Sequence, residues 1–118
     1  MLTISTSPSL TPYTYQCNQS VNDGEVEIVS TSSSGVCYCV LNPKITFEPN
    51  TKYTVSFEYV GDYVRSYMFK DNYTVFGSQS LTNKLTFTTT SSDYQLAFGI
   101  YVAVGGTLTI KNIQIEKC

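Results

Sequence analysis

Two runs decide the fold of this chain: YQLAFGIYVAV at residues 94–104 and TLTIKNIQIE at residues 107–116. In the first run every second residue from Tyr94 to Val104 is aromatic or aliphatic, which is the period of a β-strand whose alternate side chains share one face. Gly105-Gly106 joins the runs, and two glycines at such a joint are typical of a tight hairpin turn. The pattern therefore predicts that the chain ends in a long antiparallel hairpin.

The second run changes phase part-way along. Leu108 and Ile110 follow one alternation, whereas Ile113 and Ile115 follow the other. A one-residue change of phase sends the later side chains to the wrong face unless an extra residue is absorbed in a β-bulge. We therefore expect a bulge near Lys111-Asn112, in a strand that bends around a curved sheet.

The rest of the chain indicates a single all-β domain. Its 118 residues are enough for one domain with its own core. Pro, Gly, Ser and Thr recur at short intervals, no useful helical stripe occurs, and alternating runs bring the count to eight or nine strands. The sequence predicts a two-sheet antiparallel β-sandwich of the jelly-roll type, with an N-terminal arm or edge segment at residues 1–20 and the sandwich core at residues 24–117.

Charge and hydropathy exclude several classes of partner. The net charge is −2, and the seven Lys and Arg residues are scattered, so no basic face is predicted for nucleic acid. No apolar run approaches about 20 residues, and we expect no membrane insertion. The first five residues lack the basic start and apolar run of a signal peptide, so the chain is expected either to be made in the cytoplasm or to be an excised domain.

The residues available for catalysis or metal binding are few. The absence of His excludes Ser–His and Cys–His nucleophile pairs. A carboxylate pair drawn from Glu58, Asp62 and Asp93 is the main remaining hydrolytic option, but carboxylates at loop ends usually serve solubility, and we predict no enzyme. Paired C-x-x-C spacing is missing, so no zinc site is predicted. No cofactor is indicated, and calcium near Asp23-Gly24 is left open.

The four cysteines are interpreted as free thiols. Cys37 and Cys39 lie two apart in a predicted strand, so their side chains point the same way and a bond between them is geometrically awkward. Together with Cys17 and Cys118 they are expected to be buried and to act as small apolar side chains.

Two strands allow alternative orientations. Residues 36–41 are apolar on both faces, which favours a central strand covered on both sides. The alternative is a strand whose second face, at Tyr38 or at the thiols, forms the bottom of a binding groove. In residues 63–70 either the alternation that contains Arg65 and Tyr67 or the one that contains Val64 and Met68 could face inward. Periodicity does not decide between them.

Two segments carry a family resemblance. EPNTKYTVSF at residues 48–57 resembles a strand of carbohydrate-binding jelly rolls of the xylan- and glucan-binding type. LTIKNIQIEK at residues 108–117 resembles the closing strand of their relatives in tailed-phage baseplate, tail and head-decoration proteins. Residues 85–89 and 97–101 fall between them in matching order, so the resemblance covers residues 24–117. This chain departs from the sugar-binding members in having no Trp, the residue on which those modules stack a pyranose ring.

The resemblance directs attention to the tyrosines. Sugar binding needs an aromatic surface together with planar polar side chains that grip hydroxyl groups, and the chain has ten Tyr residues. Tyr101 lies opposite the apolar alternation of its strand with Gln95 on the same face, and Glu58 is placed in the same way on its own strand. Arg65 and Tyr67 join them if Val64 faces inward. The predicted saccharide groove comprises Tyr101, Tyr67, Tyr38, Glu58, Gln95 and Arg65.

The resemblance implies a non-catalytic binding or decoration module of a phage particle. Such a module would reside in the virion and contact a saccharide of the host cell surface. The alternative is a purely structural protein that binds other virion proteins through a sheet face or through the N-terminal arm and has no affinity for sugar. An apolar outer patch that includes Tyr13 and Tyr15 would favour the structural protein, whereas a polar groove would favour sugar.

Overall fold

A computed structural model describes residues 2–3, 13–22, 24–33, 35–71 and 74–118. Within these ranges the chain forms eleven strands, more than the eight or nine that the alternation predicts. They are β1 (Leu2–Thr3), β2 (Tyr13–Tyr15), β3 (Cys17–Asn22), β4 (Glu25–Ser30), β5 (Cys37–Thr46), β6 (Lys52–Gly61), β7 (Tyr63–Phe69), β8 (Val75–Ser80), β9 (Lys84–Thr88), β10 (Gln95–Val102) and β11 (Thr107–Lys117). Nothing in the described ranges is a helix long and apolar enough to cross a membrane.

The strands form two antiparallel sheets. The six-stranded sheet has the order β3-β4-β11-β6-β9, and β1 also pairs with β11. The five-stranded sheet has the order β2-β5-β10-β7-β8. Two such sheets packed face to face bury a shared core between their inner faces. This confirms the predicted two-sheet antiparallel sandwich of the jelly-roll type.

The core between the sheets follows the alternation of the sequence. Val26 and Ile28 of β4 and Leu85 and Phe87 of β9 alternate with polar residues in the sequence, which predicts that they point inward, and all four are buried. Tyr59, which its alternation assigns to the core, lies near the end of β6 and is 42% exposed. The core is therefore made by strand periodicity and ends where the strands reach the rim of the sandwich.

The free thiols divide into two groups. Cys17, Cys37 and Cys39 are buried among the core side chains, and Cys37 and Cys39 enter the core side by side, as expected from their spacing. Cys118 is exposed, so the expectation that all four thiols are buried is wrong for this residue. It follows the last strand directly, where no second layer covers it.

The connection at Gly105-Gly106 is not a hairpin turn. β10 belongs to the five-stranded sheet and β11 to the six-stranded sheet, so the predicted terminal hairpin is wrong. The N–H of Gly106 donates to the carbonyl of Ala103 at 2.8 Å, and Gly105 has a φ of +76°, a value that favours glycine. The turn carries the chain across the sandwich. The periodicity of a strand does not reveal which strand it pairs with. β10 pairs with β5 and β7, and not with β11.

A second crossing between the sheets lies beside this turn. Asp62 is the single residue between β6 and β7, which belong to different sheets. Its N–H donates to the carbonyl of Thr107 at 2.9 Å, and its Oδ2 accepts from the N–H of Thr107 at 3.1 Å. The carbonyl of Asp62 accepts from the N–H of Ala103 at 3.0 Å. The two crossings are thus bonded to each other at one end of the sandwich.

The bulge predicted from the phase change is confirmed. Between Lys111 and Gln114 the register advances by one residue more on β11 than on the opposing segment of β6. Asn112 has a φ of +54°, which is left-handed backbone that Asn tolerates better than most residues. The extra residue returns Ile113 to the core, where it is 1% exposed.

The N-terminal segment contributes to both sheets. β2 pairs with β5 at the edge of the five-stranded sheet, and β3 forms an edge of the six-stranded sheet. Residues 13–20 of the predicted arm are therefore strands of the sandwich. Residues 4–12, which contain the two prolines of the arm, lie outside the described residues.

Candidate functional site

Tyrosines gather on the outer face of the five-stranded sheet. Tyr15 lies opposite Tyr38, Tyr38 opposite Tyr101, and Tyr101 opposite Arg65. Directly opposed residues of antiparallel strands project from the same face. These four side chains therefore form one line across β2, β5, β10 and β7, which we call the tyrosine row.

A buried apolar layer supports the tyrosine row. Phe69, Val40 and Ala97 are buried on the outer side of the sheet, and Phe69 is only 1% exposed. The ring of Phe69 is nearly parallel to the rings of Tyr38 and Tyr101, with centroids 5.8 and 6.5 Å away. Tyr38 and Tyr101 thus lie against the ring of Phe69 and are half-buried themselves.

Neighbouring rings of the tyrosine row contact one another. The centroids of Tyr15 and Tyr38 are 5.3 Å apart with an interplanar angle of 22°, and those of Tyr38 and Tyr101 are 5.1 Å apart at 32°. The first pair is stacked and the second is tilted, and both are common arrangements of aromatic pairs. The row therefore offers a ligand ring edges, hydroxyl groups and the 42% exposed ring of Tyr15, and not a broad flat platform.

Polar groups border the row at β7. The guanidinium carbon of Arg65 is 5.3 Å from the ring centroid of Tyr101, within the range of a cation–π contact. Tyr67 meets Tyr101 edge to face at 5.7 Å, and its hydroxyl donates to Oε1 of Gln79 at 3.2 Å. These side chains add hydrogen-bonding groups to a surface that is otherwise aromatic.

Burial favours the protonated form of two hydroxyls of the row, those of Tyr38 and Tyr101. Desolvation raises the pKa of Tyr38 above the ordinary value of 10.0, and the hydroxyls of nearby tyrosines raise it further. Desolvation also raises the pKa of Tyr101, as does Tyr67, while the charge of Arg65 lowers it. At neutral pH both hydroxyls are therefore available to donate and accept hydrogen bonds with the hydroxyls of a ligand.

Four of the six residues predicted for the groove meet on this surface: Tyr101, Tyr67, Tyr38 and Arg65. The alternation that was open in β7 is settled because Ser66 and Met68 are buried, which turns Arg65 and Tyr67 outward. Tyr38 is likewise on the outer face of β5, opposite the thiols.

Gln95 lies on the same sheet but away from the tyrosine row. It is the first residue of β10, about 20 Å along the strand from Tyr101 at the usual rise per residue. Its amide nitrogen is 3.5 Å from Oγ1 of Thr46 on β5. Gln95 therefore does not join the tyrosines.

Glu58 lies on the opposite side of the molecule. It belongs to β6 of the six-stranded sheet and accepts a hydrogen bond from the amide of Asn112, so the expectation that it shares a groove with the tyrosines is corrected. Strand alternation shows that Glu58 faces water but not which sheet carries it. It borders a shallow polar hollow of about 320 Å³, lined by Ser56, Phe57, Glu58, Asn83, Asn112 and Gln114.

Two residues of the surface were missing from the predicted groove. Tyr15 was weighed only for a protein-binding patch, although its alternation with Tyr13 was a signal for a shared outward face. Phe69 could not be assigned before the orientation of β7 was known. The described residues hold no group of three or more His, Cys, Asp or Glu placed to bind a metal, and Asp23, where calcium was left open, lies outside them.

Comparison with known proteins shows the fold. No protein-family model and no curated protein matches the sequence. The N-terminal cellulose-binding domain of Cellulomonas fimi β-1,4-glucanase C is similar in structure, with a TM-score of 0.59 and 16% identity over 91% of this chain and 88% of that chain. The chain has the fold of a carbohydrate-binding module.

Two further structures match it. A family 29 carbohydrate-binding module complexed with cellulohexaose matches with a TM-score of 0.51 and 12% identity, over 96% of this chain and 86% of that chain. The enzymatically active domain of tailspike protein 4 of bacteriophage CBA120 matches with a TM-score of 0.50 and 12% identity, over 92% of this chain but 18% of that chain. At these identities the likeness concerns the fold.

Proposed function

We propose that this domain is a non-catalytic carbohydrate-binding module whose ligand lies along the tyrosine row. The observation that carries the proposal is the alignment of Tyr15, Tyr38 and Tyr101 across three neighbouring strands above the buried ring of Phe69. Aromatic side chains that carry hydroxyl groups at their tips are suited to a ligand that is apolar on one side and rich in hydroxyls on the other.

The geometry suits an oligosaccharide that crosses the strands. The row spans four strands, or about 14 Å at the usual spacing between neighbouring strands. The C–H groups of sugar rings would pack against the ring edges and the exposed part of Tyr15, while the hydroxyls of Tyr38, Tyr101 and Tyr67 and the guanidinium of Arg65 would bind sugar hydroxyls. The ring edges and hydroxyls of the tyrosines would thus take the place of the Trp side chains on which carbohydrate-binding modules stack a sugar ring.

The absence of a carboxylate pair from this sheet supports a non-catalytic role. The five strands β2, β5, β7, β8 and β10 contain no Asp or Glu, whereas glycoside hydrolysis usually uses two carboxyl groups on either side of the scissile bond. Sugar held along the row would therefore be bound without being cleaved.

For the biological setting we propose an accessory protein of a phage virion that contacts host cell-surface saccharide. The resemblance of residues 108–117 to closing strands of phage tail and decoration proteins supports this setting, as does the structural match to part of a phage tailspike. Other virion proteins would be its attachment partners. A purely structural virion protein without sugar affinity is the alternative that the test below addresses.

The test is retention on glycans by matched tyrosine variants. Tyr15→Ala and Tyr59→Ala remove rings that are equally exposed, at 42% each, from the five-stranded and six-stranded sheets respectively. We expect Tyr15→Ala and Tyr101→Ala to weaken retention on a glycan array and on bacterial cell-wall polysaccharide about tenfold, the equivalent of about 1.4 kcal/mol. Tyr59→Ala should bind like the wild type.

The outcomes separate the two functions. Retention that is unchanged in Tyr15→Ala and Tyr101→Ala would rule out the tyrosine row as the binding surface. If the wild type binds no glycan but is pulled down with purified virion proteins, the structural role replaces the proposal. Thermal unfolding of each variant checks that lost retention does not come from lost folding.

A further inference from the structure

We propose that the tyrosine row selects acidic saccharides and that Arg65 binds their anionic groups. This inference rests on the proposed function and names the class of its ligand. It is carried by an asymmetry of charge between the two sheets together with the unpaired state of Arg65.

The charged residues of the strands are divided unequally. The chain is acidic overall, with nine Asp and Glu against seven Lys and Arg. Yet the strands of the five-stranded sheet carry two cations, Lys44 and Arg65, and no acid. The acidic residues within strands all lie in the other sheet, at Glu25, Glu27, Glu58 and Glu116. The strands of the six-stranded sheet also carry four lysines, Lys52, Lys84, Lys111 and Lys117, so their charges balance. The strands of the five-stranded sheet therefore have an excess of positive charge, although the whole chain is acidic.

Only one of the two cations lies free of a carboxylate. Lys44 forms an ion pair with Asp71, which follows the end of β7. Arg65 forms no ion pair with any of the residues that the structure describes. Its Nε is buried and has no hydrogen-bond partner there. The positive charge of Arg65 is thus uncompensated at the β7 end of the tyrosine row.

The surroundings of Arg65 favour an anion over a neutral hydroxyl. The guanidinium carbon lies 5.3 Å from the ring centroid of Tyr101, and the two terminal nitrogens of a guanidinium can make a planar, bidentate contact with carboxylate or phosphate. Half-buried aromatic surroundings lower the local dielectric, which strengthens such a contact relative to water. A sugar that packs against Tyr101 would bring an anionic substituent within reach of Arg65.

The experiment compares saccharides that have the same sugar rings with and without anionic groups. Hexagalacturonate and its fully methyl-esterified form have the same sugar rings, with and without carboxylates, and phosphomannan with dephosphorylated mannan gives the same comparison for phosphate. By isothermal titration calorimetry or affinity electrophoresis we expect the wild type to bind at least one charged form about tenfold more tightly than its neutral partner. Added salt should weaken only the charged form.

Variants of Arg65 test whether this residue causes the preference for the charged form. Arg65→Gln should abolish the preference for the charged form, and Arg65→Lys, which keeps the charge but not the planar fork, should retain part of it. Lys84→Gln removes an exposed cation from the six-stranded sheet and should leave the preference unchanged. An equal effect of Lys84→Gln would mean that net charge alone attracts the ligand, which overturns the role of Arg65.

The failures of the two proposals are distinguishable. Equal binding of charged and neutral partners, or an unchanged preference in Arg65→Gln, overturns the selection of acidic saccharides and leaves a neutral sugar-binding module. Absence of binding to any saccharide, on the array and in these titrations, overturns both proposals. Unfolding curves of Arg65→Gln and Arg65→Lys show whether each variant is folded.

Discussion

The ring of Phe69 lies directly over the backbone of Gly99 on the outer face of the five-stranded sheet. A Cβ atom on Gly99 would be 2.6 Å from Cδ1 of Phe69 and closer still to Cε1, which is too close for any real contact. Glycine therefore lets the ring lie against β10, and Tyr38 and Tyr101 stack on that ring. One residue without a side chain determines how the aromatic surface is seated.

We predict that Gly99→Ala destabilises the fold and weakens glycan binding. The added methyl group must displace Phe69, and overpacking of this kind costs about 1–3 kcal/mol, measured as the change in the free energy of unfolding in urea. In a Phe69→Leu background the same substitution should cost less, because the smaller side chain can move. An equal cost of Gly99→Ala in both backgrounds would contradict the contact.

The stability of the protein should fall as the pH rises above 10. Burial raises the pKa of Tyr38, Tyr63 and Tyr101 above 10.0 in the folded state, so the folded state keeps protons that the unfolded chain releases. Their contribution to stability is complete below pH 10 and is lost as the pH rises through the higher folded values.

Urea unfolding between about pH 9 and about pH 11, together with tyrosinate absorbance, measures this effect. Tyr101→Phe should reduce the loss of stability in that range, because it removes one of the hydroxyls whose pKa is raised by burial. A Tyr101→Phe profile with the full alkaline loss would show that this hydroxyl does not contribute.

One thiol of four should react rapidly in the folded protein. Cys118 is exposed, whereas Cys17, Cys37 and Cys39 are buried, and burial raises the pKa of Cys17 and Cys39, which suppresses the reactive thiolate. Native-state labelling with a disulfide reagent should give one fast equivalent, and Cys118→Ser should remove it. Fast labelling of the remaining thiols in Cys118→Ser would mean that the core opens readily.

The bulge residue Asn112 should tolerate glycine better than a branched side chain. Its φ of +54° strains β-branched residues, at a cost of about 1–3 kcal/mol, whereas glycine adopts it freely. We expect Asn112→Val to lower the free energy of unfolding by that amount and Asn112→Gly to change it little. Glu58→Ala removes the hydrogen bond from the Asn112 amide without altering the backbone, and it separates the two effects.

The alternation of apolar and polar residues in the sequence was sufficient to predict much of the fold. The phase change between Ile110 and Ile113 predicted the bulge, since a strand with a buried face must return its apolar residues to that face. The alternation around Leu85 and Phe87 likewise predicted the inward side chains. The outward position of Tyr101 followed from the same rule, because it opposes the apolar parity of its strand.

What the sequence by itself determined is therefore the local alternation: which residues form strands, which side of each strand is apolar, and where a strand must bulge. Only the tertiary structure decided which strands pair, so that β10 and β11 separate into different sheets and Glu58 faces away from Tyr101. The physical reason is that a period of two describes one strand at a time. Pairing depends on contacts between residues that are distant in sequence. An example is the pair of hydrogen bonds between Asp62 and Thr107, which join the two segments that cross from one sheet to the other.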